Sequence, residues 1–103
     1  MNDQVAGFDW DDGNAVKCLK HGLTREEIEA ALLNSPKIAP DPAHFADEQI
    51  FIAIGHNILG RPMFIAFTFR TIAGEVRLRP VSARYMHEKE RKRYEARSEN
   101  DDR

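Results

Sequence analysis

Residues 62–94 read PMFIAFTFRTIAGEVRLRPVSARYMHEKERKRY, and their pattern predicts most of the fold. An apolar strand at Met63–Arg70, a short link that contains glycine and a basic strand at Glu75–Ser82 together predict a β-hairpin. Side chains alternate between the two faces of a strand. If Arg70 lies opposite Glu75, one face of the hairpin is apolar and the other carries Arg70, Arg77 and Arg79. A slip of one residue would mix the two faces, so the pattern itself favours this register.

A charged helix is expected after the hairpin, from about Met86 to Arg97, and Arg84 lies between the second strand and this helix. The hairpin arginines and Arg84 are therefore expected where one end of the sheet meets the helix. Guanidinium groups on one surface repel one another unless an anion joins them, and arginine binds phosphate oxygens in pairs. A solvated sheet face, with Glu75 as a partial partner, is the alternative interpretation.

The net charge of −2 conceals an uneven distribution along the chain. Residues 1–60 contain four Lys and Arg and ten Asp and Glu, whereas residues 61–97 contain ten and four. The second half is therefore expected to present a basic face suited to phosphates.

Two helices are predicted in the first half of the chain. The first begins near Asp11 and ends at about Lys20, where Gly22 is well placed to adopt a left-handed cap. The second begins with the capping box formed by Thr24 and Glu27, and Pro36 marks its end.

The strand signals in the first half are an aromatic edge segment at residues 7–10, a short strand at 37–39 and a clear apolar strand at Gln49–Gly55. Pro80 predicts a strand end or an edge strand. The sequence therefore predicts an α+β fold with two N-terminal helices, a three- to four-stranded antiparallel sheet and a C-terminal helix. We expect one domain over residues 1–103, with 98–103 as a flexible tail.

Several classes of protein are disfavoured by the composition. No apolar run approaches the roughly 20 residues of a membrane helix, so no membrane partner is expected. The first residues lack the basic start and apolar stretch of a signal peptide. A single cysteine, Cys18, excludes an internal disulfide, and no ligand spacing indicates a metal or cofactor site. These features favour a cytoplasmic protein.

Three stretches in order resemble the BrnT family of small ribonuclease toxins, which belong to the RelE-like fold. They are Phe8-Asp9-Trp10-Asp11 with Asn14, then Lys20-His21-Gly22-Leu23, then Arg79-Pro80-Val81-Ser82-Ala83-Arg84 followed by Glu90-Arg91 and Tyr94-Glu95. The resemblance covers about Phe8 to Glu95.

The resemblance implies a toxin of a type II toxin–antitoxin system: a metal-independent RNA endonuclease that inhibits translation. It also implies a cognate ribbon-helix-helix antitoxin, similar to BrnA, which neutralises the toxin and through which alone the pair binds operator DNA. One alternative is a catalytically inactive RelE-like module that acts only as an antitoxin partner and co-regulator. Another is a free-standing α+β protein with an unrelated purpose.

Metal-free RNA cleavage needs a base, cations that stabilise the charge on the phosphate, and an acid for the leaving oxygen. By resemblance and geometry, Arg70 and Arg84 are the expected phosphate clamps, and Arg79 is the next candidate. His21, beside Lys20, is the expected proton carrier, with His87 as a second possibility. Lys20 and His21 would also suit a purely structural role at the carboxyl end of a helix. The expected RNA contacts are Arg77, Arg91 and Lys92. The alternative interpretation is that these side chains are solvated surface residues without a role in RNA binding.

Overall fold

The computed structural model describes residues 5–34, 36–41 and 49–101. Within these ranges the chain forms three helices and one five-stranded sheet, in the strand order β1-β5-β4-β3-β2. The elements are β1 (Val5–Phe8), α1 (Asp12–Leu19), α2 (Arg25–Leu33), β2 (Lys37–Pro40), β3 (Phe51–His56), β4 (Pro62–Ile72), β5 (Glu75–Tyr85) and α3 (Glu88–Asp101).

The α+β class and the helix order are confirmed, but the purely antiparallel sheet of three to four strands is wrong. β1 pairs in parallel with β5, through Val5 with Val76 and Phe8 with Leu78, and all other neighbouring strands are antiparallel. No tight turn links β1 to β5, so the local sequence predicts the strand but does not determine its partner or direction.

The β4–β5 hairpin pairs two residues away from the predicted register. Ile72 lies opposite Glu75 and Arg70 lies opposite Arg77, so the predicted pairing of Arg70 with Glu75 is wrong. The link is the two-residue turn Ala73-Gly74, with φ of 53° and 81°, and a turn with both central residues at positive φ suits a tight hairpin. A shift of two residues keeps every side chain on its face, so the predicted separation of apolar and basic faces is confirmed.

Pro80 lies inside β5, which continues to Tyr85, so the prediction that Pro80 ends a strand or marks an edge is wrong. Phe67 lies opposite Pro80 and Ala66 lies opposite Ser82, which leaves Val81 as the extra residue of a β-bulge. Bulges are among the few places in a sheet that tolerate proline.

The bulge also determines the direction of Arg84. In an uninterrupted strand, residues 79 and 84 would face opposite sides because their numbers differ by an odd count. The extra residue reverses the alternation, and Arg84 lies opposite Phe64 on the same face as Arg77 and Arg79. We call this side of the sheet the cleft face.

The opposite side is the core face, against which α1 and α2 pack. Gly55 allows this close approach, because a Cβ atom there would lie only 2.6 Å from the Ala31 Cβ of α2. The buried cluster consists of Cys18, Leu23, Ile28, Ala31, Leu32, Ala53, Met63, Ile65, Phe67, Leu78 and Ala83.

The predicted caps are confirmed. Thr24 and Glu27 form the capping box of α2, and Gly22 follows α1 with a φ of 92°. α3 continues to Asp101, past the expected end at Arg97, while residues 102 and 103 lie outside the described part. None of the helices in the described part has the length and apolar character needed to cross a membrane.

Candidate functional site

A cleft of about 470 Å³ lies on the cleft face, where the carboxyl end of α1 meets β4 and the end of β5. It brings together three of the residues predicted to be catalytic: the neighbours Lys20 and His21, and Arg84, which lies more than sixty positions later in the sequence. The complete lining is Lys17, Lys20, His21, Ile52, Phe64, Ala66, Ser82, Ala83, Arg84 and Glu90. We call this site the α1–β5 cleft.

Lys17 on α1, its C-cap Lys20 and the following His21 are close enough along the chain to meet in the cleft. Lys17, Lys20 and His21 have the spacing i, i+3 and i+4, which places side chains on one helix face. All three are exposed, and α1 ends beside them, where the Gly22 N–H donates to the Leu19 carbonyl at 3.3 Å. Their position at the helix end is thus compatible with both the structural and the functional interpretation.

Arg79 lies outside the cleft lining and joins β5 to the start of α1. Its Nη1 atom lies 3.0 Å from Asp9 Oδ2 and 3.0 Å from Asp11 Oδ2. The hydrogen bond from Arg79 holds the pKa of the Asp11 carboxyl below its usual value. Nearby, the Asn14 side-chain amide donates to the carbonyls of Asp9 and Pro80 at 2.9 and 2.8 Å. The same contacts therefore fix α1 relative to β5, and with it the lysines and histidine of the cleft.

Replacing Arg79 with alanine should lower the free energy of unfolding by about 1–2 kcal/mol, because the Asp9 carboxylate loses its charged hydrogen-bond donor. Only 20% of the Asp9 side chain is exposed. Urea unfolding measures this change. The control is Arg77→Ala, whose partner Glu75 is 58% exposed, and its expected loss is below about 1 kcal/mol. Equal losses would argue against Arg79 as the anchor of α1.

Both terminal nitrogens of Arg84 bind the carboxylate of Glu90, which lies in the first turn of α3. Its Nη1 and Nη2 atoms donate to the two carboxylate oxygens of Glu90 at 2.8 and 2.9 Å, and its guanidinium carbon lies 4.9 Å from the Phe64 ring centre. The hydrogen bonds from Arg84, and then from the His87 N–H, lower the pKa of Glu90 to about 2. Glu90 is therefore ionised at neutral pH and fixes the orientation of the arginine.

Glu90→Gln should change how stability depends on pH. Folding lowers the pKa of Glu90 from 4.5 to about 2, so its ion pair stabilises the fold above about pH 4.5 and is lost as the pH falls towards 2. The variant should therefore be less stable than the parent at neutral pH, and the difference should shrink in acid. Urea midpoints measured across this range test the expectation, and a difference that stays constant with pH would contradict it.

Arg70 and Arg77 share the cleft face but not the cleft. They lie opposite each other near the hairpin turn, and Arg77 contacts Glu75 at 3.2 Å. Arg70 is six positions along β4 from Phe64, the residue opposite Arg84. At about 3.3 Å per residue this is about 20 Å of strand, so the structure does not bring Arg70 and Arg84 onto one phosphate.

Arg91 and Lys92 also lie away from the cleft. They are ion-paired with Glu95 at 3.1 Å and Glu88 at 3.5 Å. The opposite face of α3 carries Glu90, Arg93, Tyr94 and Arg97, which have the helical spacing i, i+3, i+4 and i+7 and line a second cavity. His87 is not part of the cleft lining.

Glu90 and Lys17 are the charged residues of the cleft lining that the sequence analysis did not predict as site residues. The signal was the helical repeat: Lys17 is three positions before Lys20 on α1, and Glu90 is one turn before Arg93 and Tyr94 on α3. Among the described residues, no cluster of three or more His, Cys, Asp or Glu side chains could hold a metal ion.

Comparison with known protein families gives a match over residues 10–90, to the ribonuclease toxin BrnT of type II toxin–antitoxin systems. The match includes every residue that lines the α1–β5 cleft. A search among curated proteins returned no match.

Proposed function

Because the chain belongs to the BrnT family of ribonuclease toxins of type II toxin–antitoxin systems, we propose that it is a metal-independent endonuclease that cuts RNA in the α1–β5 cleft. One observation carries this proposal. The cleft combines the basic end of α1, with Lys17, Lys20 and His21, and the Arg84 fork of β5. An arginine that is already oriented, beside further cations, is suited to stabilise the charge of a phosphoryl transition state.

The proposed reaction is an internal transfer at phosphorus. The 2′-oxygen loses its proton and attacks the neighbouring phosphorus, the bond to the 5′-oxygen breaks, and that oxygen receives a proton. The products are a 2′,3′-cyclic phosphate and a 5′-hydroxyl, so the step needs no further reactant. We assign His21 to proton transfer, because histidine exchanges protons most readily near neutral pH. Arg84 and Lys20 are assigned to the phosphate oxygens.

We propose that Glu90 orients Arg84 before RNA binds. When RNA binds, the Arg84 guanidinium would contact both the Glu90 carboxylate and the phosphate. The carboxylate stays ionised at neutral pH, so it does not act as the acid of this reaction. Lys17 and Lys20 add positive charge on the other side of the cleft and leave it cationic despite Glu90.

The family also implies an antitoxin partner. We propose a ribbon-helix-helix antitoxin, similar to BrnA, that neutralises the toxin and connects it to operator DNA. Inhibition of translation in the cytoplasm is the corresponding proposal for the cellular effect.

The second candidate function is that of a catalytically inactive co-regulator. The ion pairs that the arginines form within the chain favour this candidate. Arg79 and Arg84 are both bound to carboxylates within the chain, so neither offers its full charge to RNA. This candidate predicts antitoxin binding without RNA cleavage.

The test is RNA cleavage by purified, antitoxin-free protein in the presence of EDTA. We expect fragments with 2′,3′-cyclic phosphate ends, and a loss of about a hundredfold or more in His21→Ala. Arg25→Ala is the matched control, since Arg25 is an exposed cation that stacks on Trp10 outside the cleft. An inactive parent protein that still binds its antitoxin would favour the second candidate, and full activity in His21→Ala would contradict the assigned role of His21.

A further inference from the structure

A second cavity, of about 250 Å³, lies directly beside the α1–β5 cleft. The two share Phe64 and Glu90 in their linings, so they are neighbours on the cleft face. Its complete lining is Ile54, Phe64, Met86, Glu90, Arg93, Tyr94 and Arg97. We call it the α3 pocket.

The pocket combines two aromatic rings with two cations. Phe64 and Tyr94 are half-buried, whereas Arg93 and Arg97 are exposed on the same face of α3. Within the described part of the chain, Arg93 makes no ion pair, in contrast to Arg91 and Lys92 on the opposite face. The cations of this face are therefore available to an anion that enters the pocket.

The Tyr94 ring is supported from the side of the pocket that faces β2 and β3. Its centre lies 5.8 Å from that of the His56 ring, and Lys37 Nζ lies 5.7 Å from it. At the other end, the Phe64 ring is covered by the Arg84 guanidinium at 4.9 Å. The rings are thus held in place by contacts within the protein, which lowers the entropic cost of stacking a ligand on them.

We propose that the α3 pocket binds the base of the nucleotide next to the cleaved bond, stacked on Tyr94, while Arg93 and Arg97 contact the adjoining phosphate. This inference rests on the proposed function, because it assumes that RNA occupies the neighbouring cleft. Single-stranded RNA alternates bases and phosphates, and proteins bind it with aromatic stacking platforms beside basic side chains. Pockets for drug-sized ligands measure about 300–1,000 Å³, so a smaller cavity suits one base.

The test uses an oligonucleotide that cannot be cleaved because its riboses carry 2′-O-methyl groups, with affinity measured by fluorescence anisotropy. Tyr94→Ala should bind it about tenfold or more weakly, in line with the effect of losing one base–aromatic stack. Tyr94→Phe, which keeps the ring, should bind within about twofold of the parent. Arg93→Ala should lose more affinity than Arg91→Ala, the corresponding change on the opposite face of α3. Circular dichroism checks α3, and Tyr94→Leu replaces the alanine variant if the helix unfolds.

Removing single bases from the oligonucleotide locates the stacked nucleotide. One abasic position should weaken binding to the parent protein but leave binding to Tyr94→Ala unchanged, because the two changes remove the same contact. If the parent binds RNA and Tyr94→Ala binds it equally well, the inference fails while the proposed function stands. The inference would also be overturned if Tyr94→Ala weakened binding to the antitoxin but not to RNA.

Cleavage measured in parallel separates the two proposals. Binding that depends on Tyr94 without any cleavage would support the pocket and contradict the nuclease. A parent protein that neither binds nor cleaves RNA would overturn both.

Discussion

Replacing Arg84 with alanine is expected to slow single-turnover RNA cleavage by about a hundred- to a thousandfold, the usual effect of removing one preorganised charged donor from a transition state. Arg84 lines the cleft together with Lys20 and His21, and its guanidinium is already oriented by two hydrogen bonds. Substrate binding should change much less, because Lys17 and Lys20 still attract the phosphate. The measurement is cleavage with excess enzyme, which reports the chemical step directly.

Two further variants show what the arginine contributes. Arg84→Lys keeps the charge but loses the planar fork, and should recover only part of the activity. Arg70→Ala removes a cation about 20 Å away along β4 and should have a much smaller effect than Arg84→Ala. A larger effect at Arg70 would place the reaction near the hairpin turn instead of the cleft.

Replacing Phe67 with alanine should lower the free energy of unfolding by about 3–5 kcal/mol. Phe67 is completely buried at the centre of the sheet, and its ring lies 5.7 Å from Phe51 and 5.8 Å from Phe69. The substitution removes both its buried surface and its packing contacts. Since small domains are stable by about 5–15 kcal/mol, much of the molecule's stability should be lost.

Phe69 provides the matched control for this change. It lies two residues further along the same face of β4 but is 43% exposed, so Phe69→Ala should cost about 1 kcal/mol. Urea unfolding of both variants tests the difference. Comparable losses would contradict the assignment of the core to the region beneath α1 and α2.

Local signals in the sequence predicted the helices and the two faces of the hairpin correctly. The Thr24–Glu27 capping box and the Gly22 cap depend on residues only three or four positions apart, so they are readable without the rest of the fold. Alternation predicted that Phe67 and Leu78 would share a face. It did not determine the register, because a shift of two residues leaves the pattern of faces unchanged.

The bulge at Val81 was not predictable from alternation. Pro80 predicts a strand end or an edge, whereas the pairing of Ala66 with Ser82 shows that the strand continues with one extra residue. This single residue turns Arg84 onto the cleft face, beside the end of α1. The cationic cleft therefore depends on a backbone irregularity that composition does not reveal.

The carboxylates that bind Arg79 were also not predictable from the local sequence. Asp9 and Asp11 lie some seventy positions before Arg79 in the sequence, and no local pattern links them. The predicted set of basic residues thus divides into an anchor at Arg79, a cleft residue at Arg84, and Arg70 and Arg77 near the hairpin turn.

The most direct test of the proposed site is to map where RNA binds, by nuclear magnetic resonance of isotope-labelled protein titrated with the uncleavable oligonucleotide. The largest chemical-shift changes should occur at Lys20, His21, Ser82 and Arg84. If the largest changes instead fall on Arg70 and Arg77 and the α1–β5 cleft remains unaffected, the cleft is not the RNA site.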